Sequence, residues 1–238
     1  MSSAPSMLLR RLLSLIVPPL CAVCREPELD GRPLCTSCRA HLIALRDPRC
    51  SRCGAPLPQQ SAGCSECRGR ALAFECVWSA FAYEGVARDV VGALKTRGAL
   101  VLAAFMADEV AARAPAGLIE GTLVPVPAHP RRRRRHGFNH AHAIAGGLGR
   151  RLSLPVRDVL RRINAPAQVG LERGARLRNA RGSVRLRSDA IAPHRAVLVD
   201  DVYTTGATLD ACARALREAG AGEVLAVTFA RALRANIY

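Results

Sequence analysis

The 238 residues are 50% hydrophobic but only 4% aromatic, so Val, Leu and Ala must fill the core. A formal net charge of +16, from 35 basic and 19 acidic residues, favours polyanionic partners such as nucleic acid, phosphorylated metabolites or acidic lipid. No apolar run is long enough to cross a bilayer as a helix, so no membrane-spanning helix is expected. Lys95 is the only lysine, so the excess is almost all Arg and supports anion binding in general more than DNA in particular.

Met7 to Val17 is apolar but interrupted by Arg10 and Arg11 and stopped by Pro18-Pro19. The apolar stretch behind the twin arginines is too short for an export signal, and no small-residue cleavage site follows. Residues 1–19 are therefore expected to form a short amphipathic segment, packed on the next region of a cytoplasmic protein.

Four C-x-x-C pairs follow: Cys21/Cys24, Cys35/Cys38, Cys50/Cys53 and Cys64/Cys67, with gaps of 10, 11 and 10 residues. A C-x-x-C turn places two thiolates on one side of a tight knuckle, and two knuckles complete a tetrahedral Cys₄ zinc site. Soft thiolates with no His between the knuckles favour zinc over a hard metal. The near-equal spacing predicts an internal repeat of about 29 residues, with the metals supplying most of the folding energy of residues 20–72. Sequential pairing of the knuckles is expected, with a cross-brace as the alternative. Disulfides and an iron–sulfur cluster are the competing readings of the same cysteines. Four thiolates leave no open position, so both zinc sites are structural. Cys76 and Cys212 read as ordinary buried residues.

From Val77 the pattern changes. Val77 to Tyr83 alternates like a strand, and Val86 to Leu94 and Ala99 to Arg113 read as helices. Leu123 to Pro127 is a proline-broken strand, hence an edge or a loop that presents its backbone. Phe138 to Leu152 is helical, Pro155 to Leu160 a short strand, and Val197 to Val199 and Val224 to Phe229 strands around a final helix from Leu209 to Ala219. Alternating strands and helices over 73–238 predict an α/β fold with a doubly wound, mainly parallel sheet, preceded by the small cysteine-rich domain.

The most informative stretch is Val197 to Thr208. An apolar run ends in Asp200-Asp201, crosses a Thr/Gly turn and opens the Ala-rich helix. Loop N–H groups and the helix N-terminus would face a phosphate, while two carboxylates at the strand end suit sugar hydroxyls or hydrated Mg²⁺. A response-regulator receiver domain also pairs acids at a strand end, but there most of the sheet follows, and here only 37 residues follow Asp201. A purely structural loop with Thr208 as helix N-cap is the other reading.

The loop resembles the phosphoribosyl-pyrophosphate (PRPP) motif of type I phosphoribosyltransferases. With the double Cys₄ region, Phe81-x-Tyr83-x-Gly85, Lys95-Thr96-Arg97-Gly98, Val124-Pro125-Val126-Pro127-x-His129-Pro130, Gly137-Phe138-Asn139, Gln168-x-Gly170-Leu171 and Arg176-x-x-Asn179-x-x-Gly182, the chain is similar to ComF-type (GntX-type) proteins over roughly residues 15–232. The resemblance implies a double zinc ribbon before a type I phosphoribosyltransferase-like domain, with a link to competence and the use of incoming DNA. It implies that Asp200 and Asp201 hold ribose hydroxyls and water-bridged Mg²⁺. Thr204, Thr205, Gly206, Ala207 and Thr208 would hold the 5-phosphate, and Val126 and Pro127 would face pyrophosphate. His129 to Asn139 would be a mobile basic loop. His136, His140, Ala165-Pro166-Ala167-Gln168 and Glu172 depart from the family pattern, which bears on the hood and the acceptor pocket rather than the phosphate loop.

Residues 131–195 hold 17 Arg against Asp158, Glu172 and Asp189. Arg131 to Arg135 reads either as a solvated loop or as a basic flap whose guanidinium forks match a leaving pyrophosphate or a nucleic-acid backbone. Lys95 is either a phosphate contact or a helix C-terminal cation. Three functions remain open: an Mg²⁺-dependent enzyme transferring phosphoribosyl to or from a nucleobase-like acceptor with pyrophosphate release, a single-stranded-DNA-binding competence protein working with other DNA-uptake proteins, and a PRPP-sensing regulator without turnover. Phe138 is the best stacking candidate for an acceptor, and equally a core anchor.

Overall fold

A computed structural model describes residues 19–28, 30–58, 63–128, 137–163 and 183–233. The amphipathic segment expected at 1–19 lies outside these except for Pro19, as do His129 to His136, Arg131 and Arg135 included, and residues 164–182 with Gln168, Glu172, Arg176 and Asn179.

The elements are α1 (Thr36–Ala40), β1 (Val77–Ala82), α2 (Gly85–Arg97), α3 (Val101–Arg113), β2 (Thr122–Pro125), α4 (His140–Leu152), β3 (Leu160–Arg162), β4 (Val184–Leu186), β5 (Arg195–Tyr203), α5 (Ala207–Glu218) and β6 (Glu223–Arg231). Four strands form a parallel sheet in the order β1-β6-β5-β2. β5 and β6 are central and buried on both faces, which is why both read as nearly continuous apolar runs. β2, carrying Pro125, sits at an edge, where a missing N–H costs no ladder bond.

Alternate residues of the strands feed two cores. Val197, Val199, Leu225, Val227 and Phe229 pack with α3 and α4 on one face. Ala196, Leu198, Val224 and Ala226 pack with α5 on the other. Within the first core Phe229 stacks between Phe81 and Phe105, with ring centroids 5.1 and 6.3 Å away. Cys212 is fully buried on α5, as expected, while Cys76 is only half-buried.

Three local expectations change. The strand sought over Pro155 to Leu160 is a single bridge, Val156 to Leu123; the true strand is β3, which pairs antiparallel with the unanticipated β4. Both are three residues long, too short for a periodic signal. β5 runs on to Tyr203 because Asp200, Val202 and Tyr203 still pair with Thr228, Ala230 and Arg231, so the acids sit within the last turns of the ladder rather than after it. Thr208 is not the N-cap of α5; that position is Gly206, left-handed at φ 74°, and Thr205 Oγ1 accepts the Ala207 N–H at 3.4 Å.

Candidate functional site

The cysteines form two groups, Cys21/Cys24/Cys35/Cys38 and Cys50/Cys53/Cys64/Cys67, with the sulfurs of each group within 4.8 Å of one another. Knuckle pairing is therefore sequential and not a cross-brace. Sulfur separations of 3.7 Å (Cys24 to Cys35), 3.6 Å (Cys50 to Cys67) and 3.4 Å (Cys53 to Cys64) are far from a covalent S–S bond, and no cysteine is in a disulfide. They approach the roughly 3.8 Å edge of a ZnS₄ tetrahedron with Zn–S near 2.3 Å. Burial works against ionising Cys50, but N–H groups of Cys53 and Arg52 outweigh it and take the thiol down to about 7; Cys21 falls to about 6 through N–H groups of Cys35, Cys24 and Val23. Burial instead pushes Cys38, Cys53 and Cys67 up, so one thiol of each cluster is readied for ionisation and the metal must displace the protons of the others.

The expected repeat is present in the backbone. Cys21 N–H bonds Glu26 O at 2.9 Å and Arg25 N–H bonds Cys21 O at 3.0 Å; 29 residues on, Cys50 N–H bonds Ala55 O at 2.8 Å and Gly54 N–H bonds Cys50 O at 2.9 Å. The bridge Leu20 to Pro27 is matched by Arg49 to Pro56.

At the C-terminal ends of β2 and β5 lies a cavity of about 500 Å³. Such a place, beyond the carboxyl ends of parallel strands, is where this fold class holds ligands. β5 supplies Asp200 and Asp201, the turn after it Thr204 and the first turn of α5 Thr208, and the residues following β2 supply Val126, Pro127 and Ala128. Lys95 enters from the last turn of α2, and Phe138 and Asn139 from the start of α4.

Asn139 caps α4, its Oδ1 accepting from Ala141 N–H at 3.1 Å, while its Nδ2 donates to Val126 O at 3.0 Å. That clamps the proline-framed segment against the helix. Lys95 Nζ pairs with Asp201 Oδ1 at 2.8 Å, and the Asp201 N–H donates to Asp200 Oδ1 at 2.9 Å. Burial, then the Asp201 charge, pushes Asp200 up to about 7, against the Asp201 N–H, Lys95 and Arg162. Phe138 packs edge-on against His140, with centroids 4.7 Å apart, and also joins the first core.

The structure thus gathers Lys95, Val126, Pro127, Asn139, Asp200, Asp201, Thr204 and Thr208 around one cavity. It adds Arg162 of β3, which sequence reasoning missed: its Nε donates to Pro127 O at 3.1 Å and one terminal nitrogen to Thr208 Oγ1 at 3.3 Å. In an Arg-rich segment nothing singled it out. Tyr83 also lines the cavity.

The acidic strand end, the loop and the basic side chains thus meet around one cavity. Residues 12–68 match the double zinc ribbon domain model and residues 139–236 the phosphoribosyl transferase domain model. The chain is 32% identical over 219 residues to the DNA utilization protein YhgH of Salmonella typhimurium, covering 88% of this chain and 96% of the relative. It is 27% identical over 227 residues to competence protein F of Haemophilus influenzae (89% and 96% covered) and 30% identical over 195 residues to competence protein ComFC of Bacillus subtilis (79% of each). With both ribbons, the parallel sheet and this identity along nearly the whole chain, the protein belongs to the ComF/YhgH family, a double zinc ribbon joined to a phosphoribosyltransferase fold.

Proposed function

We propose that the protein binds PRPP with Mg²⁺ and transfers its phosphoribosyl group to or from a nucleobase-like acceptor. The observation that carries this reading is the Asp200-Asp201 pair at the end of a central parallel strand, followed at once by a loop that opens a helix. Two hard carboxylate oxygens suit a hydrated Mg²⁺ and the ribose hydroxyls, and the donor set fits both. Thr204 to Thr208 receive the 5-phosphate at the α5 N-terminus. Val126 and Pro127 face pyrophosphate, with Arg162 and Lys95 adding positive charge beside it and Asn139 fixing the segment. Arg131 and Arg135 add basic charge close to this segment in sequence.

In the transfer the bond from C1 to the pyrophosphate oxygen breaks and pyrophosphate leaves with the electron pair. A bond from C1 to an acceptor nitrogen forms, and the nitrogen's proton passes to water. Mg²⁺, when bound, neutralises the departing pyrophosphate. The protein's share is to hold ribose and leaving group in line and to place cations where charge develops.

Calorimetry of PRPP with Mg²⁺ tests the reading. Wild type is expected to bind, and Asp200→Ala and Asp201→Ala to lose most of the affinity; absent or unchanged binding rejects it. Pyrophosphate release with a panel of nucleobases then separates an enzyme from a PRPP sensor. The net charge of +16 and the DNA-utilization and competence names of the relatives favour a second activity, binding of single-stranded DNA, for which neutralising Arg131 to Arg135 is expected to weaken affinity and flatten its salt dependence.

A further inference from the structure

The second zinc ribbon touches the loop assigned to the 5-phosphate, and it does so through two arginines. Arg70 lies three residues beyond the last cysteine of that ribbon, and its N–H bonds Cys67 O at 3.1 Å. Its guanidinium reaches Thr205 O at 2.7 Å. Arg231, at the end of β6, is fully buried. It donates to Cys53 O, lies 3.9 Å from Cys53 Sγ and 3.5 Å from Glu66 Oε2, and sits 4.4 Å from the centre of the Tyr203 ring. Tyr203 in turn lies directly under the loop: a Cβ on Gly206 would come within 2.5 Å of its hydroxyl. Two paths thus run from the Cys53 and Cys67 knuckles to Thr205 and Gly206. The first ribbon is held elsewhere. Its Arg39 pairs with Glu109 on α3 at 2.6 Å, and Arg97 of α2 donates to Ala22 O at 2.9 Å.

We infer that Arg70 and Arg231 are positioning residues through which the folded second ribbon sets the conformation of the 5-phosphate loop, so that ligand on the loop and metal in the Cys50–Cys67 cluster favour one another. The inference rests on the PRPP reading for its ligand but not for its contacts. Coupling of this kind is reciprocal: if the intact ribbon tightens ligand binding, the ligand protects the ribbon by the same factor.

The test uses the zinc-loaded full chain and N-ethylmaleimide, with modified cysteines mapped by mass spectrometry. PRPP with Mg²⁺ is expected to slow alkylation of Cys50, Cys53, Cys64 and Cys67 by roughly fivefold to tenfold, at the low end of usual couplings, and to leave Cys21, Cys24, Cys35 and Cys38 unchanged. Arg70→Ala, a change at a partly exposed side chain, is expected to keep zinc in both clusters, abolish the selective protection and weaken PRPP binding by a similar factor, with Arg70→Lys partly restoring both. Equal protection of the two clusters, or Arg70→Ala binding PRPP and protecting its thiols like wild type, overturns the inference. Should wild type bind no PRPP, the ligand assignment fails, and the coupling is read from amide exchange of Thr204 to Gly206: faster exchange in Arg70→Ala supports it and unchanged exchange overturns it.

Discussion

The two zinc ribbons have nearly the same knuckles, the same hydrogen bonds and a 29-residue offset, yet they end on opposite faces of the sheet. Cys21, Leu34 and Cys38 pack into the core shared with α3 and α4, whereas Cys53, Ala55 and Cys67 pack into the core shared with α5 and Tyr203. The reason lies in the chain between them. Ala44 bridges antiparallel to Phe81, Ala82 N–H donates to Ile43 O at 2.8 Å and Leu45 N–H bonds Ala80 O at 3.4 Å. The linker thus lies along the free edge of β1 as a short added strand, covering it, and carries the chain from one face to the other. A duplicated module can therefore keep its local chemistry while its two copies acquire different partners.

Different partners predict different costs of breaking each anchor. The largest effect is expected from metal loss. Replacing Cys53, fully buried and in contact with Arg231, by Ser is expected to leave one zinc per chain and to sacrifice most of a contribution on the order of 10 kcal/mol, visible as loss of cooperative unfolding by circular dichroism and zinc analysis. Arg231→Met comes next. It leaves Cys53 O without its buried donor and removes the Arg231 charge beside Glu66, so a loss of about 3 kcal/mol is expected in denaturant unfolding. The anchor of the first ribbon is the mirror case, a buried carboxylate, Glu109, held by Arg39 and Arg113. Those arginines are about half exposed, at 49% and 42%, so water takes over their hydrogen bonds when Glu109→Gln removes the charge. A cost of about 1–2 kcal/mol is expected, clearly below that of Arg231→Met. Equal losses in the two variants would remove the distinction between the faces.

Much of this arrangement was legible in the sequence where chemistry repeats at fixed spacing. The cysteine pairs announced both clusters, and the Val197 to Thr208 stretch announced a strand, a tight turn and a helix. The illegible parts depend on where distant segments meet. Arg162 and Arg231 look like any of the other arginines until β3 folds over Thr208 and β6 ends beside Cys53. Lys95 read as a phosphate contact or a helix-end cation, and only the approach of α2 to β5 shows that it pairs with Asp201. The crossing of the ribbons to opposite faces had no signal, because residues 43–45 form no strand of their own and gain their pairing from β1.

The acidic site at the end of β5 adds a pH dependence of its own. Asp200 titrates near 7 in the folded protein against 3.8 ordinarily. Between those values the folded state holds a proton that the unfolded chain has released, so the Asp200 contribution to stability falls as pH rises from about 4 to 7 and is flat below and above. Binding of a cation to Asp200 requires the ionised form. Affinity for PRPP with Mg²⁺ is therefore expected to rise by up to about tenfold per pH unit below 7 and to level off above it, and Asp200→Asn to bind weakly with no such rise. A flat calorimetric profile in wild type over roughly pH 5.5 to 8 would contradict it.

The knuckle turns themselves offer the most local comparison. Arg25 and Gly54 occupy equivalent positions after the second cysteine of each repeat, and both are left-handed, at φ 67° and 69°. A side chain there costs roughly 1 kcal/mol relative to glycine. Arg25→Gly is thus expected to stabilise the first ribbon by about that amount, since the turn already has the geometry glycine prefers. The reverse exchange is not symmetric. A Cβ on Gly54 would lie 2.5 Å from Val77 O, the first carbonyl of β1, and Val77 N–H is itself bonded to Arg52 O at 3.0 Å. The second knuckle is pressed against the start of the sheet, so Gly54→Ala must displace backbone as well as adopt the disfavoured φ, and a loss of about 2 kcal/mol or more is expected. Thermal melts of the two variants, with zinc content held at both clusters, separate the cost of the turn, common to the repeats, from the cost of the neighbour, which only the second has.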